Sequence, residues 1–120
     1  MSLKVYQYPK CSTCRKALAF LEKNQVEFDS VDIVTAPPSK KTLKDALRLS
    51  GLPINKLFNS SGQSYRDGKF GERLKSMSEA EALEALAADG KLIKRPLVLG
   101  SDFALVGFDE AAYKQRFRGR

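Results

Sequence analysis

The chain is 120 residues long, which is room for one domain, and its 42% hydrophobic and 29% charged residues are the proportions of a folded globular protein. It carries 21 Lys and Arg against 14 Asp and Glu, a formal charge of +7, and no histidine at all. Without histidine there is no Ser-His-Asp or Cys-His catalysis, no histidine metal site and no histidine-ligated haem, so chemistry must run on Cys, carboxylates, Lys, Arg, hydroxyls or the backbone.

No apolar run approaches the roughly 18–20 residues of a membrane span. The opening Met1-Ser2-Leu3-Lys4-Val5-Tyr6 lacks the apolar stretch of a secretory signal. Residues 3–8 read as a strand stopped by Pro9. From Ser12 the pattern turns helical, with Ala17, Leu18, Phe20 and Leu21 apolar and Arg15, Lys16, Glu22 and Lys23 opposite, ending at Asn24 and Gln25. Residues 26–34 read as a second strand, broken by Thr35-Ala36-Pro37-Pro38. Strand, helix, strand makes a βαβ unit with parallel strands.

Ser39 is placed to cap a helix running to Ser50 with Gly51 as its stop, and residues 54–58 form a brief helical turn. Residues 59–64 read as a loop, able to form a rim of the site or simply a surface loop. Ser78-x-x-Glu81 is a capping box opening a helix that Gly90 closes. Pro96-Leu97-Val98-Leu99 and Phe103-Ala104-Leu105-Val106 flank a turn and predict a β-hairpin, followed by a helix over residues 109–117 and a frayed Arg118-Gly119-Arg120. The order is βαβ, a helical insertion over residues 37–91, then ββα: one α/β domain, residues 1–120, with a mixed sheet flanked by helices.

Cys11-Ser12-Thr13-Cys14 lies between the first strand and the first helix. There the free N–H groups of the first turn and the positive end of the helix favour a thiolate, and Lys10, Arg15 and Lys16 add charge of the same sign. Cys14, one turn on, lies within disulfide reach of Cys11. The pair therefore reads as a redox centre with Cys11 as nucleophile, in a reducing, cytoplasmic setting. Inert cysteines remain a second reading. Zinc is a third, though two thiols supply only half of its usual ligands. Ser12 and Arg15 are candidate donors to a bound anion.

Tyr8-Pro9-Lys10-Cys11-Ser12-Thr13-Cys14-Arg15-Lys16-Ala17 together with Lys94-Arg95-Pro96-Leu97-Val98 resembles the arsenate reductase/Spx family of bacterial thioredoxin-fold proteins, over nearly the whole chain. The resemblance implies a thioredoxin-like fold, Cys11 as nucleophile, Arg95 as the anion-binding arginine and Pro96 as a cis proline beside the reactive cysteine. It implies no bound cofactor, with glutathione/glutaredoxin or thioredoxin as electron donor. Glutaredoxin-linked arsenate reductases hold the oxyanion with three arginines and use a single cysteine. Here two of those arginines are replaced, by Asn59 and Gly107, so weak or absent arsenate reduction is expected. The Spx branch carries Cys-x-x-Cys and binds the α-subunit of RNA polymerase, with a glycine at its contact surface where this chain has Gly51. That glycine also reads as a helix cap.

The positive charge gathers at Lys40, Lys41 and Lys44 and at Lys114, Arg116, Arg118 and Arg120. No nucleic-acid motif accompanies it, so it reads as a solvated basic surface, and Tyr65 and Phe70 as packing residues. The expected protein is a monomeric thiol-disulfide oxidoreductase of the arsenate-reductase type. A redox-sensing transcription regulator is the alternative.

Overall fold

The computed structural model describes residues 3–117. Met1, Ser2 and the tail Arg118-Gly119-Arg120, expected to fray, lie outside the described residues. A four-stranded sheet in the order β2-β1-β3-β4 carries the fold: β1 (Lys4–Gln7), β2 (Asp29–Asp32), β3 (Leu97–Leu99) and β4 (Ala104–Val106). β1 runs parallel to β2, with Tyr6 opposite Val31, and antiparallel to β3, with Val5 opposite Val98. β3 and β4 form the antiparallel hairpin that the turn at residues 100–102 predicts. This is the thioredoxin-like α/β arrangement.

The period of two along a strand sends alternate side chains to opposite faces, and here both faces are covered. Val5 and Val98 go to one side, where Ala17 and Leu21 of α1 (Ser12–Lys23) and Tyr113 and Phe117 of α6 (Glu110–Phe117) bury them. Tyr6 and Leu97 go to the other. There they meet Leu43 and Ala46 of α2 (Lys40–Ser50) and Leu83 and Leu86 of α5 (Glu79–Ala88). A Lys40–Glu84 ion pair at 3.3 Å links α2 to α5 on the surface.

The caps fall where the sequence puts them. Ser39 accepts from the Thr42 N–H, and Gly51 ends α2 in the left-handed region at φ 71°. Ser78 and Glu81 form the complete capping box of α5. Residues 54–57 form a 3-10 turn.

Three expectations need correction. β2 is shorter than residues 26–34 at both ends. At its start, Gln25 adopts φ 58° and the Val26 N–H reaches back to the Leu21 carbonyl, which spends Val26 on closing α1. At its end the Asp32 carboxylate accepts from the Val34 and Thr35 N–H groups and turns the chain. The stretch read as loop and left unassigned contains two short helices, α3 (Gln63–Asp67) and α4 (Phe70–Arg73). They are held by an aromatic cluster of Phe58, Tyr65 and Phe70, a packing role for both Tyr65 and Phe70. Finally, α5 ends on Asp89, not on Gly90. Gly90 is buried against the backbone just past β2, where a Cβ would strike the Ile33 carbonyl oxygen.

Candidate active site at the start of the first helix

Cys11 is the N-cap residue of α1, with extended backbone at φ −96° and ψ 118°. Its N–H is held by the Tyr8 carbonyl at 3.0 Å, and its sulfur accepts from the Cys14 N–H at 3.3 Å. The thiol thus fills the place a Ser or Asp oxygen usually takes, at the positive end of a helix whose first turn holds no acid. Cys11 is half-buried, while Cys14 is fully enclosed at 0% exposure, its sulfur accepting from the Tyr8 N–H at 3.4 Å. Both thiols are free.

The two sulfurs are driven apart in acidity. Burial pushes the Cys11 pKa up, but the thiol and backbone N–H of Cys14 and the neighbouring Arg95 guanidinium outweigh it and hold Cys11 below its ordinary value. Burial pushes Cys14 up to about 12, and the adjoining Cys11 sulfur adds to the rise against the Tyr8 N–H and Arg95.

Arg95 comes from the segment just before β3, the strand that pairs with β1. Its bond to Pro96 is cis, and its guanidinium lies 5.0 Å from the centre of the Tyr8 ring. Nη1 makes one long hydrogen bond, 3.4 Å, to the Lys91 carbonyl. Nε is buried with no partner among the described residues. The Arg95 guanidinium is near enough to act on the Cys11 thiol by hydrogen bonding and by charge. Pro96 is buried beneath it, its carbonyl accepting from the Gly107 N–H at 2.9 Å.

Ser12 and Arg15 are both exposed. Arg15 directs its Nε to the Pro9 carbonyl at 3.1 Å, against the loop that leads into Cys11. The two positions at which the resemblance would place further arginines supply no cation of their own. Asn59 is tied by its N–H to the Leu92 carbonyl at 2.7 Å. Gly107 sits at φ 78°, where a Cβ would fall 3.0 Å from the Lys94 Cε.

Tyr8 went unnoticed in the sequence beyond its strand propensity, yet it touches Arg95 with its ring, Cys11 with its carbonyl and Cys14 with its N–H. The signal available, an aromatic residue three places before the nucleophile, does not name its partner. Away from the site, Lys41 and Lys114 pair with Asp45 and Glu110 along their own helices, and Arg116 lies over the Phe103 ring. Among the described residues no helix is long and apolar enough to cross a membrane.

The sequence pattern of the ArsC family matches residues 6–116. The uncharacterized protein YusI of Bacillus subtilis (strain 168) is 47% identical over 117 residues, covering 98% of this chain and 99% of its own length. The global transcriptional regulator Spx of Streptococcus pneumoniae (strain ATCC BAA-255 / R6) is 28% identical over 108 residues, covering 90% of this chain and 80% of Spx. Among solved structures, a protein from Streptococcus mutans UA159 described as a possible arsenate reductase superposes with a TM-score of 0.88 at 41% identity, covering 96% of this chain and 98% of the other.

Proposed function

The chain belongs to the ArsC family, related to arsenate reductases and to Spx regulators, and from that premise we propose that it is a thiol-disulfide oxidoreductase working through a Cys11/Cys14 dithiol. The observation that carries the reading is the split between the two sulfurs, one reachable and acidic, the other enclosed and protonated.

In this reading the Cys11 thiolate attacks one sulfur of a disulfide. A Cys11–substrate disulfide forms, the substrate S–S bond breaks, and the departing thiolate takes a proton from solvent. Cys11 is then neutral, so its contribution to the raised pKa of Cys14 disappears. The Tyr8 N–H and the Arg95 charge, which already pull Cys14 down, act unopposed by it. Burial still holds the Cys14 pKa up, so Cys14 attacks the Cys11 sulfur at high effective concentration as its proton passes to the departing substrate sulfur, which leaves as the second thiol. Two electrons and two protons pass to the substrate, and the Cys11–Cys14 disulfide is left for an external thiol to reduce, either glutathione with glutaredoxin or thioredoxin. A reducing cytoplasm is the setting this cycle needs.

Cys14→Ser tests the reading. The variant should retain attack by Cys11 and accumulate a mixed disulfide with glutathione, visible as an intact-mass increase. Cycling at the parent rate would sink the two-thiol mechanism. Arsenate should be reduced weakly or not at all with glutathione and glutaredoxin. Two lost guanidinium contacts remove about 1.5–3 kcal/mol each of charge-assisted hydrogen bonding to a dianion. Arsenate turnover matching that of a three-arginine enzyme would contradict this.

A second reading, a redox-dependent regulator docking on the α-subunit of RNA polymerase, draws support from the Spx relative and from Gly51. That glycine ends α2 at an exposed corner where a Cβ would meet nothing within 4 Å. Pull-down of the α-subunit by the reduced and oxidised forms separates the two: capture by either form favours the regulator.

A further inference from the structure

We propose that Tyr113 is a positioning residue of the redox centre: its hydroxyl, acting through the backbone of Gly107 and Pro96, anchors the segment that brings Arg95 to the Cys11 thiol. The proposal rests on the dithiol reading of Cys11 and Cys14 and names a residue, distant from both in sequence, on which that site depends.

The hairpin ladder pairs Leu97 with Val106 and runs one bond further, from the Gly107 N–H to the Pro96 carbonyl at 2.9 Å. There it ends, because Gly107 at φ 78° turns the chain out of β4. The turn takes the Gly107 carbonyl out of the ladder while the residue stays buried. A buried carbonyl needs a donor. The Tyr113 hydroxyl supplies it at 2.8 Å, from a side chain that is itself 1% exposed. Burial raises the pKa of that hydroxyl well above the usual tyrosine value, so it remains a donor wherever the thiols work.

The same residue grips the helix that bears the second cysteine. Its ring packs in one cluster with Ala17 and Leu21 of α1 and meets the Phe20 ring edge-on at 5.8 Å. It also lies near enough to Cys14 for charge on that sulfur to act on the phenol. Ring and hydroxyl together tie α1 to the end of the β3–β4 hairpin, the two pieces that must keep register for Arg95 to act on Cys11. Arg95 needs such an anchor. Its side chain is held by one long hydrogen bond, 3.4 Å to the Lys91 carbonyl, and by the Tyr8 ring. Pro96, next in the chain, has no N–H to give, so its carbonyl is where this segment joins the ladder.

Tyr113→Phe removes the hydroxyl and keeps the ring. The pH midpoint of Cys11 alkylation by iodoacetamide should rise by about half a unit, a roughly threefold loss of thiolate below the midpoint. Cys14 and Arg95 are the titratable and charged groups that act on Cys11, so a second background identifies the route. Arg95→Met raises the midpoint on its own, and there Tyr113→Phe should add nothing, as expected of residues acting in series. Phe20→Leu loosens the same aromatic cluster without touching the hydrogen-bonded chain. It should lower the urea midpoint and leave the alkylation midpoint in place.

An unchanged alkylation midpoint in Tyr113→Phe, full additivity with Arg95→Met, or an equal shift from Phe20→Leu would overturn the proposal and leave Tyr113 a packing residue. Should Tyr113→Phe fail to fold, amide hydrogen exchange in the parent decides. The Gly107 N–H should be protected about a hundredfold or more over an open loop, and exchange at the open-loop rate would remove the anchor. If the parent Cys11 titrates at its ordinary value and attacks no disulfide, the dithiol reading falls. If Cys11 is acidic and reactive and Tyr113→Phe changes nothing, the role of Tyr113 alone falls.

Discussion

Tyr8 joins three parts of the site with one residue, and its ring gives Arg95 what the single long bond to Lys91 does not. A guanidinium over an aromatic face is held by about 0.5–2 kcal/mol. Tyr8→Leu should therefore free Arg95 and move the pH midpoint of Cys11 alkylation upward, by a few tenths of a unit to about one unit. Tyr8→Phe keeps the ring and the backbone contacts and should restore the parent midpoint. Both variants leaving the midpoint unchanged would reduce Tyr8 to a packing residue. The lowered pKa of Cys11 was legible in the sequence because it depends on near neighbours: a helix start and a thiol three residues on. The Arg95–Tyr8 contact was not, since it joins residues from opposite ends of the chain and only the sheet order brings them together. Resemblance supplied Arg95. It was silent on what holds that side chain in place.

At the scale of elements, two glycines that look alike in the sequence do different work. Gly51 and Gly90 each follow a helix and each reads as its stop. Gly51 performs that role at φ 71°, with open space where a Cβ would stand. Gly51→Ala should cost only about 1–2 kcal/mol, the strain of a left-handed alanine. Gly90 is instead a point of close approach, where a Cβ would strike the backbone of Ile33, an obstacle with no side-chain freedom to yield. Gly90→Ala should cost about 3 kcal/mol or more, beyond ordinary overpacking, and should lower the urea midpoint far more than Gly51→Ala. Equal shifts would mean that the contact between Gly90 and the Ile33 backbone relaxes easily. The same contrast shows where local pattern stops being informative. Ser39, Gly51, Ser78 and Glu81 make contacts within one turn of their own helices, so their signals survive in sequence. α3 and α4 depend on Phe58 and its neighbours closing around them, and five or four residues are too few to show a helical period.

The whole molecule couples the redox centre to its own stability through protons. Cys11 in the folded chain has a pKa below the ordinary 9.0, so from that lowered value up to 9.0 the unfolded chain binds more protons and stability rises with pH. Cys14 has the opposite sign. Its folded pKa of about 12 lies above the ordinary 9.0, so between those values the folded chain binds more protons and stability falls as pH rises. Tyr113, buried and beside Cys14, is also raised and steepens that fall, so each thiol must be read as a difference between variant and parent. Cys11→Ser should flatten the rise below pH 9, and Cys14→Ser should soften the loss above it. Urea midpoints at pH 7, 9 and 11 resolve both limbs, with the reduced parent most favoured near pH 9 by the thiol pair. Forming the Cys11–Cys14 disulfide removes both titrations at once, so the oxidised protein should show neither contribution, and the stability gap between its reduced and oxidised forms should itself vary with pH. A gap constant from pH 7 to 11 would mean that the two sulfurs titrate alike in the folded and unfolded chain, and would remove the acidity split on which the two-thiol mechanism stands.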